Sequence, residues 1–172
     1  SKSHYDQVKL FFLKYNHAIT PNLINDSITI KTQIVKDDFL DLGVRRRLNF
    51  GHTIGHAIEA NSLKISEENE ALSHGISVAL GMVVECYISH KVVGFSADQL
   101  SEVSTVLGGL VKSVYDEIPE VDDLIPYLTR DKKNFNDSIN CTLLLEIGEA
   151  NHDYEIGEEL IKAGFEYLKS LK

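Results

Sequence analysis

Apolar residues recur at helical spacing over most of the chain, and one segment is apolar on nearly every side. From 76 to 93 the sequence is ISVALGMVVECYISHKVV, in which few positions are polar. A helix without a polar face must be covered by its neighbours, so this pattern predicts a buried central helix. Gly94 ends it, and Ser96 with Gln99 forms a capping box that opens the next helix, which continues to Leu110.

Amphipathic patterns predict four further helices, and β-forming residues predict one hairpin. The hairpin would pair a strand at 141–146 with a short strand at 154–156 across a turn at 148–153. The chain is therefore predicted to be mainly α with a minor β-hairpin, and residues 1–172 are predicted to form a single domain. The four helices are residues 5–15 (with Val8, Phe11, Phe12 and Tyr15 inward), a helix capped by Ser27 (with Ile28, Ile34 and Val35), residues 122–130 and residues 157–171.

A polar stripe runs along the segment from Gly43 to Glu59, GVRRRLNFGHTIGHAIE. At 100° per residue, five polar side chains fall on one face of a helix through this segment. Gly51 and Gly55 cost such a helix about 1 kcal/mol each relative to Ala, which indicates that another backbone or a ligand approaches closely there. The five polar residues are Arg45, Asn49, His52, His56 and Glu59.

The histidines of this segment predict a metal or anion site. His52 and His56 are four residues apart, so both rings can face one cation. A third histidine, His74, opens the next apolar run, where Ser73 is placed to cap the central helix. The alternative is a surface helix with incidental histidines, but the aligned Arg, Asn and Glu and the second His-Gly element favour the site.

Composition excludes several classes of protein. The net charge is −9 over 172 residues, and the basic residues are scattered apart from the cluster at 45–47, so a nucleic-acid partner is not expected. No apolar run has the length of a membrane span, and no signal peptide is visible. Cys86 and Cys141 have neither metal nor disulfide spacing, which indicates buried free thiols in a reducing compartment such as the cytoplasm.

Four segments resemble the 3-dehydroquinate synthase family of sugar phosphate cyclases, specifically its C-terminal domain. RRRLNFGHTIGHAIE and LSHGISVALGM carry the resemblance, while IKTQIVKDDFLDLG (30–43) and RDKKN (130–134) occur in the family's order. The resemblance implies the helical C-terminal domain of that fold. It also implies conversion of 3-deoxy-arabino-heptulosonate 7-phosphate to 3-dehydroquinate and phosphate, the shikimate-pathway step of aromatic amino-acid biosynthesis.

The resemblance further implies bound NAD and one Zn²⁺ or Co²⁺ ion. The family holds its metal with two histidines and a glutamate, and by position His52 and His74 are the two histidine ligands, whereas spacing alone pairs His52 with His56. Glu59 either orients a histidine or is an exposed carboxylate. The residues implied to contact substrate or take part in catalysis are Lys31, Arg45, Asn49 and His56, with one or both of Lys132 and Lys133.

The sequence departs from the family in two respects. The Ala-Glu-x-x-Lys segment that supplies the third ligand is absent, and so is any Gly-rich dinucleotide cradle. We therefore expect a C-terminal part of a longer enzyme, inactive alone, whose N-terminal domain binds NAD and which forms a homodimer. The chain also has Ile76 where the family has a glutamate after His-Gly.

Three other functions compete with this interpretation. Ile76 weakly favours a related cyclase of the 2-epi-5-epi-valiolone or 2-deoxy-scyllo-inosose synthase type. A glycerol dehydrogenase-like polyol dehydrogenase has a similar layout, but its neutral substrate needs no cluster of cations such as Arg45 and Lys31. A non-catalytic helical interaction module is the least favoured, because a polar stripe with two glycines is a poor docking face.

Overall fold

The computed structural model of the protein describes residues 1–14, 20–66, 71–112, 114, 118–128 and 139–172. Its described elements confirm a mainly α fold with one antiparallel hairpin. In chain order they are α1 (Lys2–Lys14), α2 (Pro21–Asp37), a 3₁₀ helix (Val44–Asn49), α3 (His52–Ile65), α4 (His74–Val92), α5 (Ala97–Val111), α6 (Val121–Leu128), β1 (Ile139–Glu146), β2 (Glu149–Ile156) and α7 (Glu158–Ser170).

Helix α4 is the centre of the molecule, as its apolar sequence predicts. It packs against α3, α5, α7 and β1, and most of its residues from Ser77 to Ser89 are buried. Leu80, Val84 and Ile88 are completely buried within it. Ser96 caps α5 by accepting a hydrogen bond from the Gln99 N–H at 3.1 Å, which confirms the predicted cap. The two histidine-bearing helices, α3 and α4, are thus set against each other by the core.

The first two helices differ in their boundaries from the prediction. In α1, Phe11 is buried and Val8 and Phe12 are half-buried, while Tyr15 lies outside the described residues. Helix α2 begins at Pro21 with Thr20 as its N-cap, so the prediction that Ser27 caps it is wrong. Proline is preorganised for the first helical position, and the Ser27 hydroxyl instead donates to the Leu23 carbonyl at 3.0 Å within the helix.

The polar stripe is not one continuous helix. Residues 44–49 form a 3₁₀ helix, the chain turns at Gly51 with φ +79°, and α3 begins at His52. His52, His56 and Glu59 therefore share α3, whereas Arg45 and Asn49 precede it on a separate element. The break follows from Gly51, because a left-handed residue ends one helical register and starts another.

The hairpin is longer than predicted and contains a bulge. Strand β2 begins at Glu149 directly after a tight turn with Gly148 at φ +99°, so the prediction of a turn over 148–153 is wrong. The polar residues of β2 are typical of turns, but here they form an edge strand. Cys141 pairs with Tyr154 and Leu143 with Asn151, so Thr142 alone faces two residues, which is a β-bulge.

The two cysteines have the environment that the composition predicts. Cys86 and Cys141 are both buried free thiols, as predicted. Burial raises the pKa of each thiol above its ordinary value. Over the ranges of the chain described above, no helix is both long and apolar enough to cross a bilayer.

Candidate metal and substrate site

Glycines bring α3 and α4 into direct backbone contact. A Cβ on Gly55 would lie 2.8 Å from the Val78 Cα, and one on Gly81 would lie 2.6 Å from the Gly55 nitrogen and collide with the Gly51 carbonyl. These distances are shorter than real side chains allow, so only glycine fits at the crossing. The sequence prediction that Gly51 and Gly55 admit a close backbone is confirmed, and the crossing brings the histidines of the two helices together.

A buried carboxyl group from α4 caps the histidine helix. Glu85 is completely buried, and its two carboxyl oxygens accept hydrogen bonds from the N–H groups of Gly51 at 2.6 Å and Ile54 at 3.4 Å. The first N–H groups of a helix have no partner within it, and Gly51 has no side chain to serve as a cap. Burial raises the pKa of Glu85 from 4.5 to about 8, although the backbone N–H groups oppose the shift. Glu85 therefore fixes where α3 begins.

Three imidazoles converge where α3 meets the start of α4. The ring centroids of His52 and His56 are 5.4 Å apart, those of His52 and His74 are 5.6 Å apart, and those of His56 and His74 are 5.7 Å apart. The near-equal spacing does not by itself select a pair of ligands. Among the described residues, the set whose ligand atoms all lie within 4.8 Å of one another is His56, Glu59 and His74.

Two of the three rings are anchored through Nδ1. His52 Nδ1 lies 3.1 Å from the Phe50 carbonyl oxygen, and His74 Nδ1 lies 3.0 Å from Glu59 Oε2. A carbonyl can only accept, so the proton of neutral His52 resides on Nδ1 and its Nε2 presents a lone pair. An ionised Glu59 does the same for His74. Anchoring of one ring nitrogen is the usual arrangement of metal-bound histidine.

His56 has a different environment. Partial burial of the ring lowers its pKa first, the neighbouring His52 lowers it further, and Glu59 acts in the opposite direction. The neutral form of His56 is therefore favoured around neutral pH, which suits a residue that exchanges hydrogen bonds with hydroxyl groups.

A pocket of about 590 Å³ opens beside two of the histidines. The 3₁₀ helix and α3 contribute residues that include Asn49, His52 and His56 to its lining, the end of α6 borders it, and Asp41 and the hairpin supply the remainder. Its volume falls within the range of small-molecule sites. The Thr53 hydroxyl donates to the Asn140 carbonyl at 3.0 Å, which fastens the hairpin to the first turn of α3.

The remaining predicted residues lie outside this lining or outside the described residues. Arg45 donates from Nη1 to the Phe39 carbonyl at 3.0 Å, and Lys31 is exposed on α2. His74 belongs to the imidazole cluster but does not line the pocket as described. Lys132 and Lys133 fall outside the described residues.

Sequence reasoning missed several residues of this region. Arg46, Asn140, His152 and Asp153 line the pocket, and Glu85 supports it from the core. The arginine run was visible in the sequence, but the register that points Arg46 rather than Arg45 to the pocket depends on the 3₁₀ helix. A lone glutamate at 85 in an apolar helix was the one signal that could have identified the buried cap.

Residues 3–134 match the family described as 3-dehydroquinate synthase C-terminal. The chain belongs to this family. The match includes all three clustered histidines, the glycines of the crossing and Glu85. The imidazole cluster and its supporting cap thus lie within the part of the chain that matches the family.

Curated relatives bear the name 3-dehydroquinate synthase. The protein from Parabacteroides distasonis is 34% identical over 171 residues, which are 98% of this chain and 47% of that enzyme. The protein from Pyrococcus furiosus is 36% identical over 154 residues, 87% of this chain and 41% of that enzyme. The chain therefore spans about half the length of the relatives that it matches.

A solved structure shows the same fold. The crystal structure of 2-deoxy-scyllo-inosose synthase complexed with carbaglucose-6-phosphate, NAD⁺ and Co²⁺ matches with a TM-score of 0.67 at 24% identity, covering 86% of this chain and 40% of that one. At this identity, the likeness establishes the architecture alone.

Proposed function

We propose that this chain is the metal- and substrate-binding domain of a 3-dehydroquinate synthase, which converts 3-deoxy-arabino-heptulosonate 7-phosphate to 3-dehydroquinate and phosphate. The observation that carries the proposal is the convergence of three imidazoles from α3 and α4 in a domain of this family. The relatives bearing the enzyme's name support the same substrate. The reaction eliminates phosphate and closes a carbocycle, so it belongs to the carbon–oxygen lyases.

His52 and His74 would hold a divalent cation, Zn²⁺ or Co²⁺. Their anchored Nδ1 atoms leave Nε2 for the metal, and the hydrogen bond from His74 to Glu59 supports a role for Glu59 in orienting that ring. The alternative set of His56, Glu59 and His74 would require Glu59 to leave this hydrogen bond or to share its carboxylate. When bound, such a cation acidifies an alcohol of the substrate and so favours hydride removal from the adjacent carbon.

The polar residues of the pocket would hold the substrate. Asn49 and His56 line it beside His52, where an amide and a neutral imidazole can both donate to and accept from sugar hydroxyls. Arg45 and Lys31, which lie outside this lining, would with Lys132 and Lys133 neutralise the carboxylate and phosphate of the substrate. Arginine can bind such groups through two parallel hydrogen bonds.

NAD would be bound mainly by an N-terminal domain of the same enzyme, and residues 1–172 would form a single domain. The curated relatives are about twice as long as this chain, and the structural neighbour was crystallised with NAD⁺ and Co²⁺. We further propose a cytoplasmic homodimer, in which the domain without its N-terminal partner is inactive because one metal ligand and the NAD site are lacking.

A related cyclase activity is the second candidate, because the structural neighbour makes 2-deoxy-scyllo-inosose. Ile76, which first suggested this possibility, is half-buried and packs against the hydrophobic core. Its replacement of a glutamate is therefore a change of packing rather than of the imidazole cluster. This location weakens the case for an altered substrate.

The test measures phosphate release by the full-length protein supplied with NAD and Zn²⁺. We expect turnover of the seven-carbon keto-acid sugar phosphate and loss of turnover in His52→Ala. His90→Ala is the matched control, because His90 lies at the far end of α4 with its ring bonded to the Phe95 carbonyl. Turnover of glucose 6-phosphate instead would establish the second candidate, and unaltered turnover in His52→Ala would refute the assigned site.

A further inference from the structure

The bulge in β2 lies at the pocket and places two consecutive residues in its lining. In a regular strand, neighbouring side chains point to opposite faces. His152 and Asp153 face the single residue Thr142, and both line the pocket with His52 and His56. Asp153 adopts a left-handed backbone with φ +64°. Bulges of this kind are common beside active sites, where they redirect a side chain.

An ion pair holds this bulge against the 3₁₀ helix. Arg46 Nη1 lies 2.9 Å and 3.2 Å from the two carboxylate oxygens of Asp153, and Arg46 Nε donates to the Asp41 carbonyl at 3.2 Å. Asp41 also has a left-handed backbone, with φ +59°. The Thr142 hydroxyl donates to the Arg46 carbonyl at 3.2 Å. Strained residues on both sides of one arginine are typical of a preorganised site.

The same carboxylate orients His152. Its Nδ1 lies 2.8 Å from Asp153 Oδ2, and the hydrogen bond from His152, followed by the charge of Arg46, lowers the pKa of Asp153. An ionised carboxylate can only accept, so the proton of the neutral ring resides on Nδ1. Nε2 is then the acceptor atom of a half-buried ring that borders the pocket.

We propose that His152 is a further substrate-contacting residue, whose Nε2 accepts a hydrogen bond from a hydroxyl of the sugar phosphate, with Asp153 and Arg46 as its positioning residues. The inference rests on the proposed function, because it takes the ligand of the pocket to be a polyhydroxylated sugar. It adds the hairpin as a contributor to specificity beside the histidine helix.

Two variants of His152 separate contact from structure. His152→Asn retains a donor where Nδ1 bonds to Asp153 but has no atom at the Nε2 position, whereas His152→Gln carries a polar group near that position. The matched control is His90→Asn, because His90 is also half-buried and its Nδ1 lies 2.7 Å from the Phe95 carbonyl.

The experiment measures steady-state kinetics of the full-length enzyme and, separately, calorimetric affinity for the sugar phosphate without NAD. We expect His152→Asn to raise KM and the dissociation constant by about tenfold, the size of one lost hydrogen bond, with kcat within about twofold of wild type. His152→Gln should recover part of the affinity, and His90→Asn should match the wild type.

The outcomes are distinguishable. An active wild type with His152→Asn unchanged in KM and affinity would overturn the inference and leave the proposed function standing. Equal losses in His152→Asn and His152→Gln, accompanied by lower thermal stability in both, would show that the residue only fastens the hairpin and would also overturn it. A wild type that turns over no sugar phosphate would refute both.

Discussion

The buried cap of α3 gives a prediction whose size follows from the structure. Glu85 has no exposed surface, and burial raises its pKa from 4.5 to about 8. In the folded protein the proton therefore stays bound at pH values where the unfolded chain has already released it. The perturbation is Glu85→Gln, which keeps the shape of the side chain and removes its titration.

The sign of the effect follows from linkage. Below pH 4.5 both states hold the proton, and the stability of the wild type is fully present. As pH rises from 4.5 to about 8, the unfolded state loses the proton and the folded state does not, so the wild type becomes less stable. A shift of this size corresponds to a loss of up to about 5 kcal/mol over that interval.

The variant has a different balance of hydrogen bonds. Gln offers one oxygen, so either the Gly51 or the Ile54 N–H loses its acceptor, at a cost of about 1–3 kcal/mol. The wild type should therefore be the more stable protein at pH 5, and Glu85→Gln the more stable one at pH 8.5.

The assay is urea unfolding of both proteins from pH 5 to 8.5 with a metal chelator present. The difference in free energy of unfolding between the two cancels the titration of the other groups. Glu166→Gln, an exposed glutamate in the middle of α7, is the control, and its effect on the free energy of unfolding should be small. A difference for Glu85→Gln that stays constant with pH would refute the reasoning.

Two further predictions concern the core. Gly81→Ala should destabilise the protein by about 2–4 kcal/mol, because the new Cβ meets the Gly51 backbone. Gly109→Ala in α5, where a Cβ has open space, should be neutral or stabilising by up to about 1 kcal/mol. Urea unfolding measures both effects, and equal effects would contradict the close contact of α3 and α4 at their glycines. Cys86 and Cys141 should react with a thiol reagent only after unfolding, because both are buried with raised pKa values, so rapid labelling of the native protein would argue against the core described here.

Local sequence patterns predicted the parts of the fold that depend on burial. Helix α4 has one charged residue before its last turn, and a segment so apolar can only be central. The cap of α5 and the amphipathic α7 follow from equally local rules. The resemblance to the family predicted that His52 and His74 lie close together. Periodicity and spacing could not predict this, because the two residues are on different helices.

The features that were missed depend on tertiary contacts. The left-handed turn at Gly51 separates the 3₁₀ helix from α3, and it is held by Glu85, which lies 34 residues later in the chain. The bulge that places His152 in the pocket lining depends on the pairing of two strands and on an ion pair between Asp153 and Arg46, which are 107 residues apart. Polar residues in an edge strand look like a turn until the partner strand is known.

The most direct measurement concerns the proposed metal ligands. Cobalt-loaded full-length protein reports coordination through its visible spectrum, and titration gives the affinity of the wild type and of alanine variants at His52, His56 and His74. We expect His52→Ala and His74→Ala to weaken binding by at least about a hundredfold, and His56→Ala to keep both spectrum and stoichiometry. Loss of binding in His56→Ala with a normal His52→Ala would contradict the assignment and establish the set of His56, Glu59 and His74 instead.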